Sequence, residues 1–361
     1  MKLLISTCST QLLEFTGSSY GQDFDEIKLF AEKGNANAQF LLGIYYFNGD
    51  GVPENDVEAV KWFRLAAEQG DVDAQYKLGN MYDFGNGVPE NKAEAVTWYR
   101  LAAEQGNAGA QSNLGLMYSN GNGVPKNDAE AVTWYRLAAE QGNAGAQYKL
   151  GNMYDLGNGV PKNGAEAVKW FRLAAEQGNV DAQYKLGNMY DLGNGVPKND
   201  AEAVTWFRLA AEQGNAGAQS NLGLMYSNGN GVPENKAEAV TWYRLAAEQG
   251  NAVAQTNLGI MYANGDGVPE NDAEAVKWFR LAAEQGNANA QTNLGVMYAN
   301  GEGVPENNVR AYVWWSVAAT QGHENARENR DSISERLTPT LLGQAQQIAT
   351  TCLESNYKDC E

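Results

Sequence analysis

The side chains able to do chemistry in this chain are few. There is one histidine, His323, and there are three cysteines, Cys8, Cys352 and Cys360. Histidine can act as a general base or a metal ligand, but no cysteine or second histidine stands at metal-ligand spacing from it. His323 is therefore expected to be a surface residue near a helix start. No Gly-x-Ser-x-Gly elbow presents a nucleophile, and no phosphate loop ends in Gly-Lys-Ser/Thr. Segments such as Asp155-Leu-Gly-Asn158-Gly-Val-Pro group Asp and Asn around glycines, as calcium loops do. They lack the alternating carboxylates and the closing Glu of a calcium loop, so a turn is the reading. No catalytic residue, metal site or cofactor is expected.

Cys352 and Cys360 invite a disulfide. A helix continued through both would hold their Cα atoms about 12 Å apart, and a disulfide tolerates less than about 7 Å. The bridge thus requires the chain to stop being helical between them, and Ser355-Asn356 offers a place. Such a pair suits an oxidising compartment. The start of the chain agrees: Met1-Lys2, then Leu3-Leu4-Ile5, then small residues to Ser19-Tyr20-Gly21 read as a signal peptide over residues 1–21. Its removal would also remove Cys8. An exported protein, periplasmic or secreted, is the expectation.

What positions these residues is a repeat. The run Asn107-Ala-Gly-Ala-Gln-Ser-Asn-Leu-Gly-Leu-Met-Tyr returns unchanged from Asn215, and a unit of 36 residues recurs eight times over 35–322. The copies begin at residues 35, 71, 107, 143, 179, 215, 251 and 287, and each holds one Trp at a fixed place, Trp62 to Trp314. A unit this short cannot bury its own apolar face, so the copies must stack. Copy three predicts a first helix from Ala108 to Tyr118 with Asn107 as N-cap and Ala110, Leu114, Met117 and Tyr118 forming its apolar stripe. Gly115 lies on that stripe and costs about 1 kcal/mol against Ala in a free helix; its expected return is close approach of another helix. Gly121-Asn-Gly-Val-Pro125 must turn. Asn127 and Glu130 have the spacing of a capping box, and the second helix buries Ala131, Trp134, Tyr135, Ala138 and Ala139, ending at Gly142. Arg136 and Glu140 are expected to pair weakly on its solvated face. Thirty-two of the 40 glycines are the four that recur in each copy, which leaves no room for a nucleotide cradle.

The shared pattern Ala-x-Ala-Gln-x-x-Leu-Gly-x-Met-Tyr-x-x-Gly-x-Gly-Val-Pro-x-Asn-x-x-Glu-Ala-Val-x-Trp-(Tyr/Phe)-Arg-Leu-Ala-Ala-Glu-Gln-Gly resembles the Sel-one-like repeat (SLR) family, relatives of tetratricopeptide repeats. The resemblance implies an all-α, α/α superhelical solenoid of eight helix-pair repeats that serves as a non-enzymatic adaptor or scaffold for other proteins, with many bacterial members exported or linked to host interaction. Caps are expected at 22–34, a half-repeat with Glu26 in place of Trp, and at 323–361. There Thr338-Pro339 starts a helix that covers Trp314 and Trp315. The family also has a cysteine-rich branch that binds penicillin-type compounds. That makes a β-lactam- or cell-wall-binding, β-lactamase-like member the alternative reading, although every repeat of this chain is free of Cys.

In such a family the first helices line a concave face, and their variable positions are the candidate binding residues. Copies two, four and five carry Tyr-Lys, Asn and Asp there: Tyr76, Lys77, Asn80, Asp83; Tyr148, Lys149, Asn152, Asp155; Tyr184, Lys185, Asn188, Asp191. Copies three and six carry Ser112, Asn113, Leu116, Ser119 and Ser220, Asn221, Leu224, Ser227, with Asn257 and Asn293 following in copies seven and eight. Rows of Tyr and Asn suit hydrogen bonding to a partner protein or extended peptide. The net charge of −18 argues against nucleic acid and anionic membranes. No apolar run reaches the roughly 18 residues of a membrane span, and a monomeric array is expected.

Overall fold

The computed structural model describes residues 20–360. Residues 1–19, and with them Cys8 and nearly all of the segment read as a signal peptide, lie outside the described residues. All nineteen helices and no strand make up the regular structure there, in two compact units, Met1–Lys162 and Asn163–Glu361.

The first unit opens with α1 (Tyr20–Glu32). It continues through the first helices α2 (Ala36–Asn48), α4 (Val72–Phe84), α6 (Ala108–Asn120) and α8 (Ala144–Leu156), which alternate with the second helices α3 (Asp56–Glu68), α5 (Lys92–Glu104) and α7 (Asp128–Glu140). Ala31 of α1 packs with Ala38, Leu42 and Trp62, and Phe24 and Ile27 close that end.

Copy three shows why these residues make these elements. Asn107 Oδ1 accepts from the Ala110 amide at 2.9 Å, and α6 runs two residues beyond the expected Tyr118 to Asn120. Only at Gly121 does a left-handed residue turn the chain, its amide donating to Met117 O. Gly123 has φ 71, and a Cβ there would lie 2.3 Å from the Lys92 carbonyl oxygen. The second turn glycine therefore serves contact with the preceding copy as well as the turn. Asn127 caps α7 by accepting from the Glu130 amide at 3.2 Å. The reciprocal half of the expected capping box is replaced: Glu130 Oε1 accepts from Trp134 Nε1 at 3.0 Å, which satisfies a buried indole instead. A Cβ on Gly115 would lie 2.7 Å from a ring carbon of Tyr135, so this glycine seats the aromatic of α7 against α6.

Two links between copies do not follow the expected pattern. Gln111, 4 % exposed, donates to Ala103 O of the preceding copy at 3.0 Å and accepts from Gln141 at 2.7 Å. A buried amide is thereby satisfied while fixing the stacking. Arg136, expected to pair with Glu140, donates instead to Tyr154 Oη in copy four at 2.7 Å. Arg64–Tyr82 and Arg100–Tyr118 repeat that link.

In the second unit, α9 (Gly164–Glu176) is followed by α10 (Val180–Leu192), α11 (Asp200–Glu212), α12 (Ala216–Asn228), α13 (Lys236–Glu248), α14 (Ala252–Asn264), α15 (Asp272–Ala283), α16 (Ala288–Asn300) and α17 (Asn308–Thr320). The end is made by α18 (Glu324–Ser334) and α19 (Pro339–Glu354). The enlarged apolar face of α17, with Trp314 and Trp315, lies in one core with Ala326 and Ile333 of α18 and Ala345, Ala349 and Cys352 of α19. His323 is the N-cap of α18, accepting from the Ala326 amide at 3.4 Å, with its Nε2 3.0 Å from Asn289 Oδ1. It takes the place that Asn, or Asp71 in copy two, holds in the repeats. Thr338 caps α19 with Pro339 in its first turn. The helix stops at Glu354, Asn356 and Tyr357 take left-handed conformations, and Cys352 and Cys360 are disulfide-bonded with Cα atoms 4.5 Å apart.

Candidate functional site

The candidate residues stand on the first helices, and the second helices beneath decide how free they are. In copy two, Tyr99 of α5 reaches up between two of them. Its hydroxyl donates to Asn80 Oδ1 at 2.7 Å and lies 3.2 Å from Asp83 Oδ2. Asn80 Oδ1 also accepts from Asn113 Nδ2 of copy three at 3.2 Å, and Asp83 Oδ1 from Lys92 Nζ at 2.9 Å. Asn80, Asp83 and Asn113 are thus members of one network that ties copy two to copy three. Tyr76 is half-buried, its ring 6.2 Å from that of Tyr99 and packed where a Cβ on Gly109 would come within 2.9 Å. Lys77 Nζ sits 5.4 Å from the centre of the Phe47 ring. Most of these groups already have partners within the protein.

Farther along the first unit, Asn152 Nδ2 donates back to Tyr148 O at 3.1 Å and Lys149 lies over the Tyr148 ring. In the second unit Tyr184 packs on Phe207 at 6.1 Å between centroids and against Gly217. Asn188 Oδ1 accepts from Asn221 Nδ2 at 3.0 Å. Asp155, Lys185 and Asp191 make no side-chain hydrogen bond or ion pair among the described residues. Asn257 bonds Tyr243, whose phenol burial pushes up to about 12, the Asn257 contact working in the opposite direction. Burial also raises Tyr99, with the Asp83 carboxylate adding to it, and burial raises Tyr135. Burial thus favours the protonated, neutral form of all three phenols.

Clefts open between consecutive copies. One of about 370 Å³ is lined by Phe47, Tyr76, Lys77, Asn80, Met81, Phe84, Asn86 and Asn113. One of about 190 Å³ joins Leu116 and Ser119 of copy three to Lys149, Asn152 and Leu156 of copy four, with Tyr135 at its floor. In the second unit a cleft of about 450 Å³ lies between copies seven and eight and includes Asn293. The sequence reading missed Phe84, Leu156 and Leu192, which are 67 %, 64 % and 66 % exposed. Their signal was legible: the same position holds Asn48, Asn120, Asn228, Asn264 and Asn300 in the other copies. At this position copies two, four and five replace Asn by a large apolar side chain.

Among the described residues no three His, Cys, Asp or Glu side chains group to hold a metal, and no helix is long and apolar enough to cross a membrane. The arrangement can bind, through hydrogen bonds and shallow apolar clefts.

Known proteins give this geometry its relatives. The Sel1 repeat model matches eight successive segments from 36–71 to 288–323, one residue later in frame than the unit defined above. A Sel1 repeat protein from Oxalobacter formigenes is 36% identical, with 86% of this chain and 89% of that one covered and a TM-score of 0.64. A protective antigen of uropathogenic Escherichia coli that displays an SLR fold is 32% identical, with 93% and 96% covered and a TM-score of 0.59. A search of the curated proteins gave no match. Sel1 repeat proteins are generally protein-interaction scaffolds, and their helical fold is typically non-enzymatic. Eight tandem matches over most of the sequence, on paired helices with the same Gly and Trp positions in every copy, place the chain in the Sel1 repeat family.

Proposed function

We propose that this protein is a non-enzymatic scaffold that holds a partner protein or extended peptide against its first-helix face, and that it works outside the cytoplasm. The observation that carries the reading is the exposure of Phe84, Leu156 and Leu192, two of which line inter-copy clefts beside Lys77 and Lys149. A large apolar group left in water loses about 1.5–3 kcal/mol relative to burial, and a partner surface recovers it. Export is supported by the disulfide at the C-terminal end, which persists in oxidising compartments.

A photoreactive benzoylphenylalanine at position 84, irradiated in the source cell, is expected to yield an adduct of one defined mass. The same group at Leu137, on a second helix, is expected to yield much less. Equal labelling at both positions would refute the face assignment. Replacing Phe84, Leu156 and Leu192 by Asn, the residue their position holds elsewhere, is expected to abolish capture of that partner while leaving the helical signal intact. Mass measurement of the purified protein is expected to show a start at Gln22 and no free thiol. An intact Met1–Gly21 segment with reactive Cys352 and Cys360 overturns the export part.

A further inference from the structure

The cleft between copies seven and eight differs from the others in charge. Its floor is apolar, made by Ile260 and Phe279 of copy seven and Val296 and Met297 of copy eight, and its rim carries Glu270, Asp272 and Glu302. In copies two, three, five and six the two positions of Glu270 and Asp272 hold a lysine paired with the acid beside it. Lys92–Glu90 lie 3.3 Å apart, Lys126–Asp128 3.6 Å, Lys198–Asp200 3.2 Å and Lys236–Glu234 3.4 Å. Copy seven has no such lysine, and none of the three rim acids forms an ion pair among the described residues. Copy one shares the doubled acid, as Glu54 and Asp56, but has Asn86 where Glu302 stands.

Helix electrostatics do not account for the set. Asp272 opens α15, where the helix dipole favours a carboxylate, but Glu270 lies outside the helix. Glu302 follows the C-terminal end of α16, where the dipole disfavours negative charge. Its one side-chain bond is from Asn300 Nδ2, at 3.1 Å. Three acids without an ion pair, at the rim of a cleft of about 450 Å³ whose lining includes Ile260, Phe279, Val296 and Met297, are complementary to an apolar side chain flanked by cations.

We propose that this cleft docks a segment of an extended peptide in which Lys or Arg residues flank a Leu-like side chain. The apolar side chain fills the floor and the cations bridge the rim. The proposal rests on the scaffold reading above and names the partner chemistry for one site of it.

The test uses the full chain and a fluorescein-labelled peptide, Gly-Ser-Lys-Leu-Leu-Lys-Ser-Gly, followed by anisotropy at low salt. The variant E270Q/D272N/E302Q is expected to weaken binding by about tenfold or more, because close charge pairs across an interface carry that much coupling. Asn is already the residue of copy eight at the Asp272 position, as Asn308, and circular dichroism checks the fold. The control E104Q/E140Q/E212Q removes the same charge from exposed second-helix positions and is expected to stay within about twofold of wild type, since dispersed surface charges are screened. Ile260→Ala is expected to weaken binding at high salt as well as low. The proposal is overturned if the lysine peptide does not bind wild type, if the control loses as much as the rim variant, or if a peptide with Glu for Lys binds equally well. Each of those results leaves the Phe84 adduct standing, so failure of this site is distinguishable from failure of the scaffold reading.

Discussion

Copies two and five differ at five of their 36 positions, and their first helices are identical from Val72 to Asp83 and from Val180 to Asp191. The surfaces those helices present are nonetheless different. Under copy two, the Tyr99 hydroxyl bonds Asn80 and reaches Asp83, and Lys92 closes on the same carboxylate. Under copy five, Phe207 offers no hydroxyl and Asp200 stands where Lys92 does, paired with Lys198 at 3.2 Å. Asn188 accepts from Asn221, and Asp191 keeps its acceptor capacity. The chemistry that a first helix shows to a partner is therefore set by the second helix beneath it. Two rows of identical residues are two different surfaces, one with its Asp paired to a lysine and one with its Asp unpaired among the described residues.

The largest effects test what the two copies share. Tyr99→Ala and Phe207→Ala are each expected to cost about 3–5 kcal/mol, the range for emptying a buried aromatic site. The two losses should agree within about 1 kcal/mol, because packing dominates both. Amide exchange across the affected helices reads the local opening energy. A much smaller loss at either site would mean that the stack collapses into the gap.

Next come Gly79→Ala and Gly187→Ala. A Cβ at either position would stand 2.6 Å from a ring carbon, of Tyr99 or of Phe207. Overpacking of this kind costs about 1–3 kcal/mol, against a gain of about 1 kcal/mol for the same change in an unencumbered helix. A net gain at either glycine would show that the rings are not seated as described.

These glycines mark how far the sequence could be read. Gly115 and its equivalents announced a close approach because a mid-helix glycine needs a reason, and the period of 36 announced the stack. Spacing alone could not reveal that Arg136 would reach Tyr154, since its alternative partner Glu140 is four residues away on the same helix and the tyrosine is in the next copy. The buried Gln111 was hidden for a like reason: its acceptor, Ala103 O, belongs to the preceding copy. At the candidate surface the residue types were legible but their availability was not. Asn80 and Asn188 are the same letter in the same context, and one residue of the second helix separates their chemistry. Phe84 was missed because a single exposed apolar residue is unremarkable until seven counterparts are set beside it.

Tyr99→Phe tests the difference directly. Losing the hydroxyl bond to Asn80 is expected to cost about 0.5–1.5 kcal/mol near neutral pH. Phe207→Tyr is expected to be near neutral, because the new hydroxyl must find its bond at Asn188 beside the one from Asn221. Alkaline solution gives a second reading. The Tyr99 phenol is held above its ordinary value by burial and by Asp83, so the folded state keeps its proton more tightly than the unfolded one. That contribution is complete below the unfolded value of about 10 and is lost as pH rises through the window above it. Tyr99→Phe should then flatten the alkaline loss of stability, and a substitution in copy five that leaves Phe207 in place should not.

The smallest effect concerns the charge pair. Lys92 leaves about a third of its side chain in solvent, and Asp83 less, so the pair is expected to contribute only about 0.2–1 kcal/mol. Lys92→Asp removes it and sets a carboxylate near Asp83 and Glu90, so the loss should fall toward zero as salt rises. Asp200→Lys is the mirror experiment in copy five. The introduced ammonium can reach Asp191 as Lys92 reaches Asp83, but it also releases Lys198 from its present partner and sits beside it as a like charge. Its gain should therefore be smaller than the loss in copy two, and of opposite sign. Urea midpoints at low and high salt decide it. If both substitutions shift the midpoint in the same direction, Lys92 is not what separates the two surfaces, and the difference must be assigned to Tyr99 alone.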